Sequence, residues 1–177
     1  MFGSQWFAAP VSAVSVSSSA GEWEGGTGAF TFSGDDVARS STNSAIRTVT
    51  ALTGDFTFTM TYTDGDGATR FGVYDATEDS TFAGTGSDSG GMDSMTNSWV
   101  FDSGNEQYRY GGVNQAAENI AEGSVIKVTR TGSTIKFVDD GSDAYTFSQT
   151  FSGAVRVVFG GGGIALDFDD VTWIYNE

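Results

Sequence analysis

The alternation of side chains between residues 56 and 62 constrains the fold more than any other feature of the sequence. Phe56, Phe58, Met60 and Tyr62 alternate there with three threonines. Successive side chains of a β-strand point to opposite faces, so this pattern is typical of a strand with one apolar and one polar face. The segment therefore predicts a sheet that is packed on one side.

Ten further segments show short runs of strand-forming residues bounded by Gly, Asp, Asn or Ser. They are residues 30–33, 45–51, 70–74, 99–102, 107–110, 125–130, 134–138, 145–150, 155–159 and 164–175. The longest segment with a helical periodicity is residues 115–120. About eleven short strands joined by turns predict an all-β sandwich or barrel. Among the turns, residues 64–67 and Gly160–Gly163 predict two antiparallel hairpins.

Composition excludes several classes of function. Eight Lys and Arg against 23 Asp and Glu give a net charge of -15, which repels polyanions, so no nucleic-acid partner is predicted. The chain has no Cys and no His, which excludes disulfides, zinc-thiolate sites, thiol nucleophiles and a histidine base. No apolar run approaches the ~18 residues of a membrane helix, so no membrane partner is predicted. The first basic residue is Arg39, so a secretory signal is not expected either.

The second half of the chain resembles a known family. Residues 123–130, 134–138 and 139–147 are similar to the late-strand meander of concanavalin-A-like lectin/glucanase domains, and residues 155–159 and 164–173 to its last two strands. The likeness covers roughly residues 30–173 and is of the kind found in phage virion decoration and fibre proteins. It implies a two-sheet antiparallel jelly-roll sandwich. We assign residues 21–177 to this domain and residues 1–20 to an N-terminal extension.

The glucanase branch of the family uses an acidic Glu-x-Asp-x-x-Glu strand, which this chain lacks. The nearest substitutes are Glu22-Trp-Glu24 and the acidic run 167–170, where carboxylates two apart share a strand face. The alternative is a polar strand face whose intervening aromatics, Trp23 and Phe168, lie in the core. We favour this alternative and predict no catalytic residues and no enzymatic activity.

Two turns carry oxygen ligands that suit Ca²⁺. Asp64 and Asp66 lie in one turn, and Asp139 and Asp140 in the other. Neither completes a calcium motif, and turn formation alone also accounts for both clusters. Calcium is the one candidate ligand ion, and no other cofactor is predicted.

A glycan site would need an exposed aromatic ring beside polar groups. Trp99, Tyr108, Tyr110 and Asn114 are the candidates, near the long irregular stretch of residues 78–98. Loops of that length in compact domains are usually functional or mobile. The alternative is that these aromatics alternate into the core.

Three aromatics near the start of the chain, Phe2, Trp6 and Phe7, either pack on their own domain or anchor it to a neighbouring subunit. The sequence thus favours a non-catalytic virion structural protein, a capsid decoration or head or tail fibre protein on the virion's outer surface. Its lectin-like domain would face outward and serve host-surface adhesion, with other virion proteins or its own copies as partners. The alternative is a carbohydrate-binding module, extracellular if not on a virion, and a glycoside hydrolase is the remote third.

Overall fold

The computed structural model describes residues 14–17, 22–33, 36–39, 43–65, 69–84, 91, 94–102, 107–111, 113–117, 122–139, 146–161 and 166–175. They form fifteen strands and two short 3-10 turns, Thr27–Ala29 and Ala76–Thr81. The strands are β1 Val14–Ser17, β2 Trp23–Gly25, β3 Phe30–Ser33, β4 Asp36–Arg39, β5 Ser44–Thr48, β6 Phe56–Gly65, β7 Thr69–Asp75, β8 Ser98–Asp102, β9 Gln107–Tyr110, β10 Val113–Ala117, β11 Val125–Thr131, β12 Thr134–Asp139, β13 Thr146–Thr150, β14 Val155–Gly161 and β15 Leu166–Tyr175. No described segment is a helix long and apolar enough to cross a bilayer.

The strands pair into two antiparallel sheets. One has eight strands in the order β13-β12-β11-β6-β15-β4-β3, with β1 also paired to β15. The other has seven, in the order β10-β9-β8-β7-β14-β5-β2. All eleven strands expected from the sequence are present, together with the four short strands β1, β2, β4 and β10. The predicted two-sheet jelly-roll sandwich is confirmed.

The main core lies between the two sheets and contains the apolar face of β6. Phe58 is 0% exposed, and its ring centroid lies 5.9 Å from that of Phe159 on the opposite sheet. The threonines of β6 that were expected on the other face, such as Thr57, are only half-buried. Each fully buried large apolar side chain contributes roughly 1.5–3 kcal/mol, so the alternation read from the sequence supplies much of the sandwich's stability.

Both predicted hairpins are wrong. β6 pairs with β11 and β15 in the eight-stranded sheet, whereas β7 pairs with β8 and β14 in the other. In the same way β14 and β15, on either side of the glycine run, lie in different sheets. Each connection therefore crosses from one sheet to the other. It does so because both flanking strands have one apolar face, and a sandwich sets those faces against each other.

The expected boundary at residue 20 also falls inside the sandwich. β1 lies within the predicted extension, yet it pairs with β15, with Val14 in register with Tyr175. Similarly, the weak helical periodicity at residues 115–120 overlaps β10, which pairs with β9. The meander of β11, β12 and β13 is formed as the family resemblance implied.

Arg130 ties together the loops at one end of the sandwich. Its side chain is 5% exposed and donates hydrogen bonds to the carbonyl oxygens of Leu52 at 2.9 Å, Gly132 at 2.8 Å and Gly153 at 2.8 Å. These carbonyls take the place of water around the buried charge. The loop at Gly153 is thereby held beside the segment that begins at Ala76, whose amide donates to the carbonyl of Ala154 at 2.8 Å.

Candidate binding rim on the seven-stranded sheet

Residues 76–84, 91 and 94–97, here called the cover segment, lie against the outer face of the seven-stranded sheet. Phe82 of this segment stacks on Tyr74 of β7 with ring centroids 6.3 Å apart and planes 8° from parallel. Met95, also from the segment, is buried with Val100 and Val158 of the sheet. The cover segment therefore closes a second, smaller apolar cluster on the side of the sheet that faces away from the main core.

A single carboxylate, Asp79, fixes the cover segment to three adjacent strands. Its Oδ1 accepts hydrogen bonds from Arg47 Nη1 of β5 at 2.9 Å and from the Tyr74 hydroxyl at 3.0 Å. Arg156 of β14 donates from Nε to Oδ1 at 2.7 Å and from Nη2 to Oδ2 at 2.7 Å. Because β7, β14 and β5 are neighbours in the sheet, their outward side chains converge on one point above it.

A fourth strand extends this network. Glu24 of β2 accepts from Arg47 Nε at 2.8 Å, and the Arg47 guanidinium lies 4.6 Å from the centre of the Phe82 ring. The two arginine side chains are only 15% and 13% exposed. Charge-assisted hydrogen bonds at this degree of burial are stronger than those on an open surface. The cover segment is thus held by polar bonds as well as by the stack of Phe82.

The network perturbs the protonation of its members. Burial alone would raise the pKa of Asp79, but hydrogen bonds from Arg156 and Tyr74 and the charges of Arg156 and Arg47 outweigh it, so this pKa lies below its usual value. Burial raises the pKa of the Tyr74 hydroxyl well above its usual value, even though Arg47 opposes the shift. At neutral pH Asp79 is therefore ionised and Tyr74 protonated, the states that their hydrogen bonds require.

Beside the Asp79 network, Asp75 at the end of β7 and four residues of the cover segment form a polar edge, here called the rim. The four residues are Thr77, Glu78, Thr96 and Asn97. Glu78 accepts hydrogen bonds from the Thr96 hydroxyl at 2.6 Å, the Thr96 amide at 3.0 Å and the Asn97 amide at 3.2 Å. Asp75 accepts from the Thr77 hydroxyl at 2.7 Å and the Thr77 amide at 2.9 Å. The two carboxylates therefore hold exposed hydroxyls and an exposed amide in fixed positions.

The turn between β9 and β10 lies next to the rim. The Gly111 amide donates to the carbonyl of Ser98 at 3.0 Å, and a Cβ on Gly111, whose φ is 55°, would lie 2.8 Å from the carbonyl oxygen of Thr96. Val113, just beyond this turn, is 63% exposed. The rim thus has hydrogen-bonding groups on one side and an exposed apolar side chain on the adjacent turn. This combination suits a polyhydroxyl ligand with apolar C–H faces.

The predicted glycan residues are only partly placed at this rim. Trp99 is 0% exposed and packs edge-on against Phe137 with ring centroids 5.8 Å apart, so the exposed position expected for it is wrong. It lies in the core because its place in β8 alternates with Val100, which faces the cover segment. Tyr110, in register with Trp99, is half-buried against the same core. Tyr108 is in register with Phe101, and its side chain and that of Asn114 lie outside the described residues.

The two predicted calcium turns are not brought together. Ile126 of β11 is in register with Asp139 on one side and with Met60 of β6 on the other. Met60 precedes Asp64 by four residues, so the two turns are offset along the strands by about 13 Å at the rise of a strand. The side chains of Asp64 and Asp139, and all of Asp66 and Asp140, lie outside the described residues. Within the part of the chain that is described, no group of three or more acidic residues is placed to hold a metal ion. The anchor residues Phe2, Trp6 and Phe7 also lie outside it.

Glu22 and Glu24, the acidic pair whose side chains are described, fit the alternative of a polar strand face with the intervening aromatic residue in the core. Trp23 is 4% exposed and packs on Phe159 with ring centroids 5.1 Å apart, which confirms the expectation that it faces the core. The Glu24 carboxylate forms a salt bridge with Arg47. The side chains of residues 167–170 are outside the described part of the chain.

Sequence reasoning missed the Asp79 network and the rim. A signal was present, because Arg47 and Arg156 sit on predicted strands that are otherwise apolar, in a chain with only eight basic residues. An arginine at such a position needs hydrogen-bond acceptors in place of water, and the irregular stretch that begins at Glu78 contains carboxylates that can serve. What the sequence could not show was which carboxylate reaches them.

Comparison with known proteins gives similarity of structure alone. No family model matches the sequence, and no curated protein matches it. A stonustoxin structure covers 80% of this chain at 16% identity with a TM-score of 0.57, and this chain spans about a quarter (25%) of that one. The TRIM65 PSpry domain covers 84% of this chain, with 84% of its own length matched, at 13% identity and a TM-score of 0.57.

The exoplasmic/lumenal domain of VIP36, in its form bound to Ca²⁺ and Man3GlcNAc, covers 88% of this chain, with 82% of its own length matched, at 9% identity and a TM-score of 0.54. The SPRY and VIP36 domains are both concanavalin-A-like jelly rolls. The family resemblance predicted from residues 123–173 is therefore confirmed at the level of the fold.

Proposed function

We propose that this chain is a non-catalytic recognition module that binds carbohydrate at the rim. The observation that carries the proposal is the fixed arrangement of three exposed polar side chains, Thr77, Thr96 and Asn97. Asp75 holds the Thr77 hydroxyl, and Glu78 holds the Thr96 hydroxyl and lies 3.5 Å from Asn97 Nδ2. The two threonine hydroxyls donate their protons to the carboxylates, which leaves their oxygens to accept hydrogen bonds from sugar hydroxyls, whereas the Asn97 side chain can both donate and accept. Because the groups are already ordered, binding costs little further side-chain entropy.

The fold and the charge of the chain support the same ligand class. The VIP36 domain, which has this fold, was crystallised with a mannose-containing glycan. A net charge of -15 favours a neutral ligand over a polyanion. Tyr108, Tyr110 and Asn114, on the strands that meet at the neighbouring turn, are proposed to extend the site. Calcium bound by Asp64 and Asp66, or by Asp139 and Asp140, is proposed as an accessory ion.

A glycan array with the purified chain tests the proposal, with Asn97→Ala and Thr96→Val as rim variants. We expect affinity for the best neutral glycan to fall about five- to tenfold in Asn97→Ala, because one good hydrogen bond is worth roughly 1–1.5 kcal/mol. Thr31→Val, an exposed threonine of β3 on the other sheet, is the matched control. Binding that survives both rim variants in folded protein, or silence across a broad array, would contradict the proposal.

The same preparation tests the accessory parts of the proposal. Removing calcium with a chelator should weaken binding if the ion takes part. Turnover of a polysaccharide that disappears in Asp167→Asn or Glu22→Gln would show an enzyme instead of a binding module.

A role in particle assembly is the second candidate. β1 places residue 14 beside residue 175 of β15, so the aromatic segment with Phe2, Trp6 and Phe7 joins the sandwich at that point. We propose that this segment attaches the module to a virion surface or to copies of itself, with the rim facing outward. Deleting residues 1–10 should abolish incorporation into the particle while the sandwich stays folded. Unchanged incorporation would rule this role out.

A further inference from the structure

The outer face of the eight-stranded sheet differs from the rest of the protein in its charge. The chain has two lysines and six arginines. All six arginines are buried or half-buried, whereas Lys127 and Lys136 are both exposed. The two lysines lie on neighbouring strands, β11 and β12, and on the same face. Both exposed basic side chains of a chain with net charge -15 therefore share one small area.

The strand register places these lysines close together. Lys127 is in register with Val138, and Lys136 with Thr129. They are diagonal neighbours across an antiparallel pair, a separation of about 7–8 Å between their backbones. Two flexible ammonium groups at that spacing can reach a single anionic group.

Hydroxyl groups complete the surface. Thr129, Thr131, Thr134 and Lys136 line an open depression of about 390 Å³, which is within the range of small-ligand sites. Thr131 is in register with Thr134, and Thr129 lies two residues from Thr131 on the same face of β11, so three threonine side chains lie on one face of the strand pair. Their methyl groups provide apolar contact between the hydroxyls.

The hairpin tip beside the depression is fixed. The Gly132 amide, at a φ of 58°, donates to Asp55 Oδ1 at 2.7 Å. The Asp55 carboxylate lies at the Thr131 end of the depression, away from Lys127. An anionic group is therefore favoured at the lysine end, and neutral hydroxyls at the hairpin end.

From this arrangement we propose that the Lys127–Lys136 face binds an acidic sugar, a monosaccharide unit with one carboxylate or sulfate group. The ammonium groups pair with the anion, and Thr129, Thr131 and Thr134 hydrogen-bond the ring hydroxyls. A polyanion is disfavoured, because the rest of the chain repels repeated negative charge. A broad protein partner is disfavoured, because four described residues line the depression, whereas a stable protein interface takes about 20–30 residues on each side. This site is independent of the neutral-glycan rim on the other sheet.

Titration calorimetry with a galactose trimer in which one terminal unit is galacturonic acid, so that the ligand carries a single carboxylate, and with the neutral galactose trimer as its counterpart, tests the proposal. We expect measurable binding of the acidic trimer, at least tenfold weaker binding of the neutral one, and affinity that falls as NaCl is raised. A sulfated galactose trimer measured in parallel identifies which anion is preferred. Equal affinity for the acidic and neutral trimers would overturn the proposal.

Variants separate this site from the rim. Lys127→Gln with Lys136→Gln should abolish discrimination between the acidic and neutral trimers, and Thr129→Val with Thr134→Val should weaken both. Asn97→Ala should leave binding of the acidic trimer unchanged, so failure of the rim proposal and failure of this one are distinguishable. Sedimentation that shows self-association abolished by the lysine variant would assign the face to a second copy and overturn the proposal.

Discussion

At the scale of single residues, Asp79 is the side chain on which the cover segment depends. We predict that Asp79→Asn lowers the free energy of unfolding by about 1–3 kcal/mol at pH 7, because Arg47 and Arg156 lose their shared charged acceptor. Urea unfolding measures the loss. Glu122, an exposed carboxylate just before β11, provides a control that removes the same charge, and Glu122→Gln should change stability by no more than about 0.5 kcal/mol.

The pH dependence of this loss follows from the lowered pKa of Asp79. A carboxylate with a lower pKa in the folded state stabilises the protein above its unfolded pKa, and that contribution is lost as pH falls through the folded value. The gap between the wild type and Asp79→Asn should stay constant down to about pH 5 and close below about pH 4. A gap that persists unchanged at about pH 2 would show that Asp79 acts by packing and not by charge.

Single residues also show what the sequence could and could not reveal. The burial of Trp23 followed from alternation between two carboxylates, and the structure confirms it. Trp99 also lies in a strand whose side chains alternate, but its position beside a long loop favoured the wrong expectation of exposure. Nearness in sequence to a loop does not determine which face of a strand a side chain takes. Strand alternation was the stronger signal at both positions.

At the scale of strands, location was predictable and pairing was not. Each predicted strand is present because local alternation and turn residues mark it. The connection from β6 to β7 has the length and composition of a hairpin, yet it crosses between sheets. A hairpin within one sheet and a crossing between sheets can have the same length and the same turn residues. Which of the two forms depends on the distant strands that bury the apolar faces of β6 and β7. That information belongs to the tertiary structure.

Close approach of β7 and β8 gives a prediction at this scale. A Cβ at Gly72 would collide with the carbonyl oxygen of Trp99 and lie 2.6 Å from the Cα of Val100, both backbone atoms of β8. We predict that Gly72→Ala lowers the free energy of unfolding by about 2 kcal/mol or more, since backbone atoms cannot move aside as a side chain can. Thermal unfolding followed by circular dichroism measures the change.

Gly153→Ala is the matched control for that substitution. A Cβ there would first meet Asp75 Oδ2 at 3.4 Å, an ordinary contact with the end of a side chain. Its effect on stability should stay within about 0.5 kcal/mol. Equal melting temperatures for the two variants would show that β7 and β8 leave room for a Cβ at residue 72.

At the scale of the whole molecule, the two sheets present different outer surfaces. The seven-stranded sheet is partly covered, and its cover segment carries the rim. On the eight-stranded sheet, the outer face of β11 and β12 is open at the depression and carries both lysines. The net charge was evident from the sequence, but its segregation depends on the register of β11 and β12. One domain thus carries the two proposed recognition surfaces, which differ in charge.

The net charge of -15 also predicts how the whole molecule responds to salt. Repulsion among like charges destabilises a compact state, and raising NaCl from about 10 mM to about 1 M shortens the Debye length from roughly 30 Å to 3 Å. The Asp79 network is half-buried and is screened less than fully exposed charge, so removal of repulsion should prevail. We expect the melting temperature to rise by a few degrees across this range in calorimetry.

The variant with Lys127→Gln and Lys136→Gln goes from a net charge of -15 to -17, and its melting temperature should rise further with salt than that of the wild type. A melting temperature that falls with salt would show that attractive ion pairs, and not the net charge, dominate the electrostatics of this sandwich.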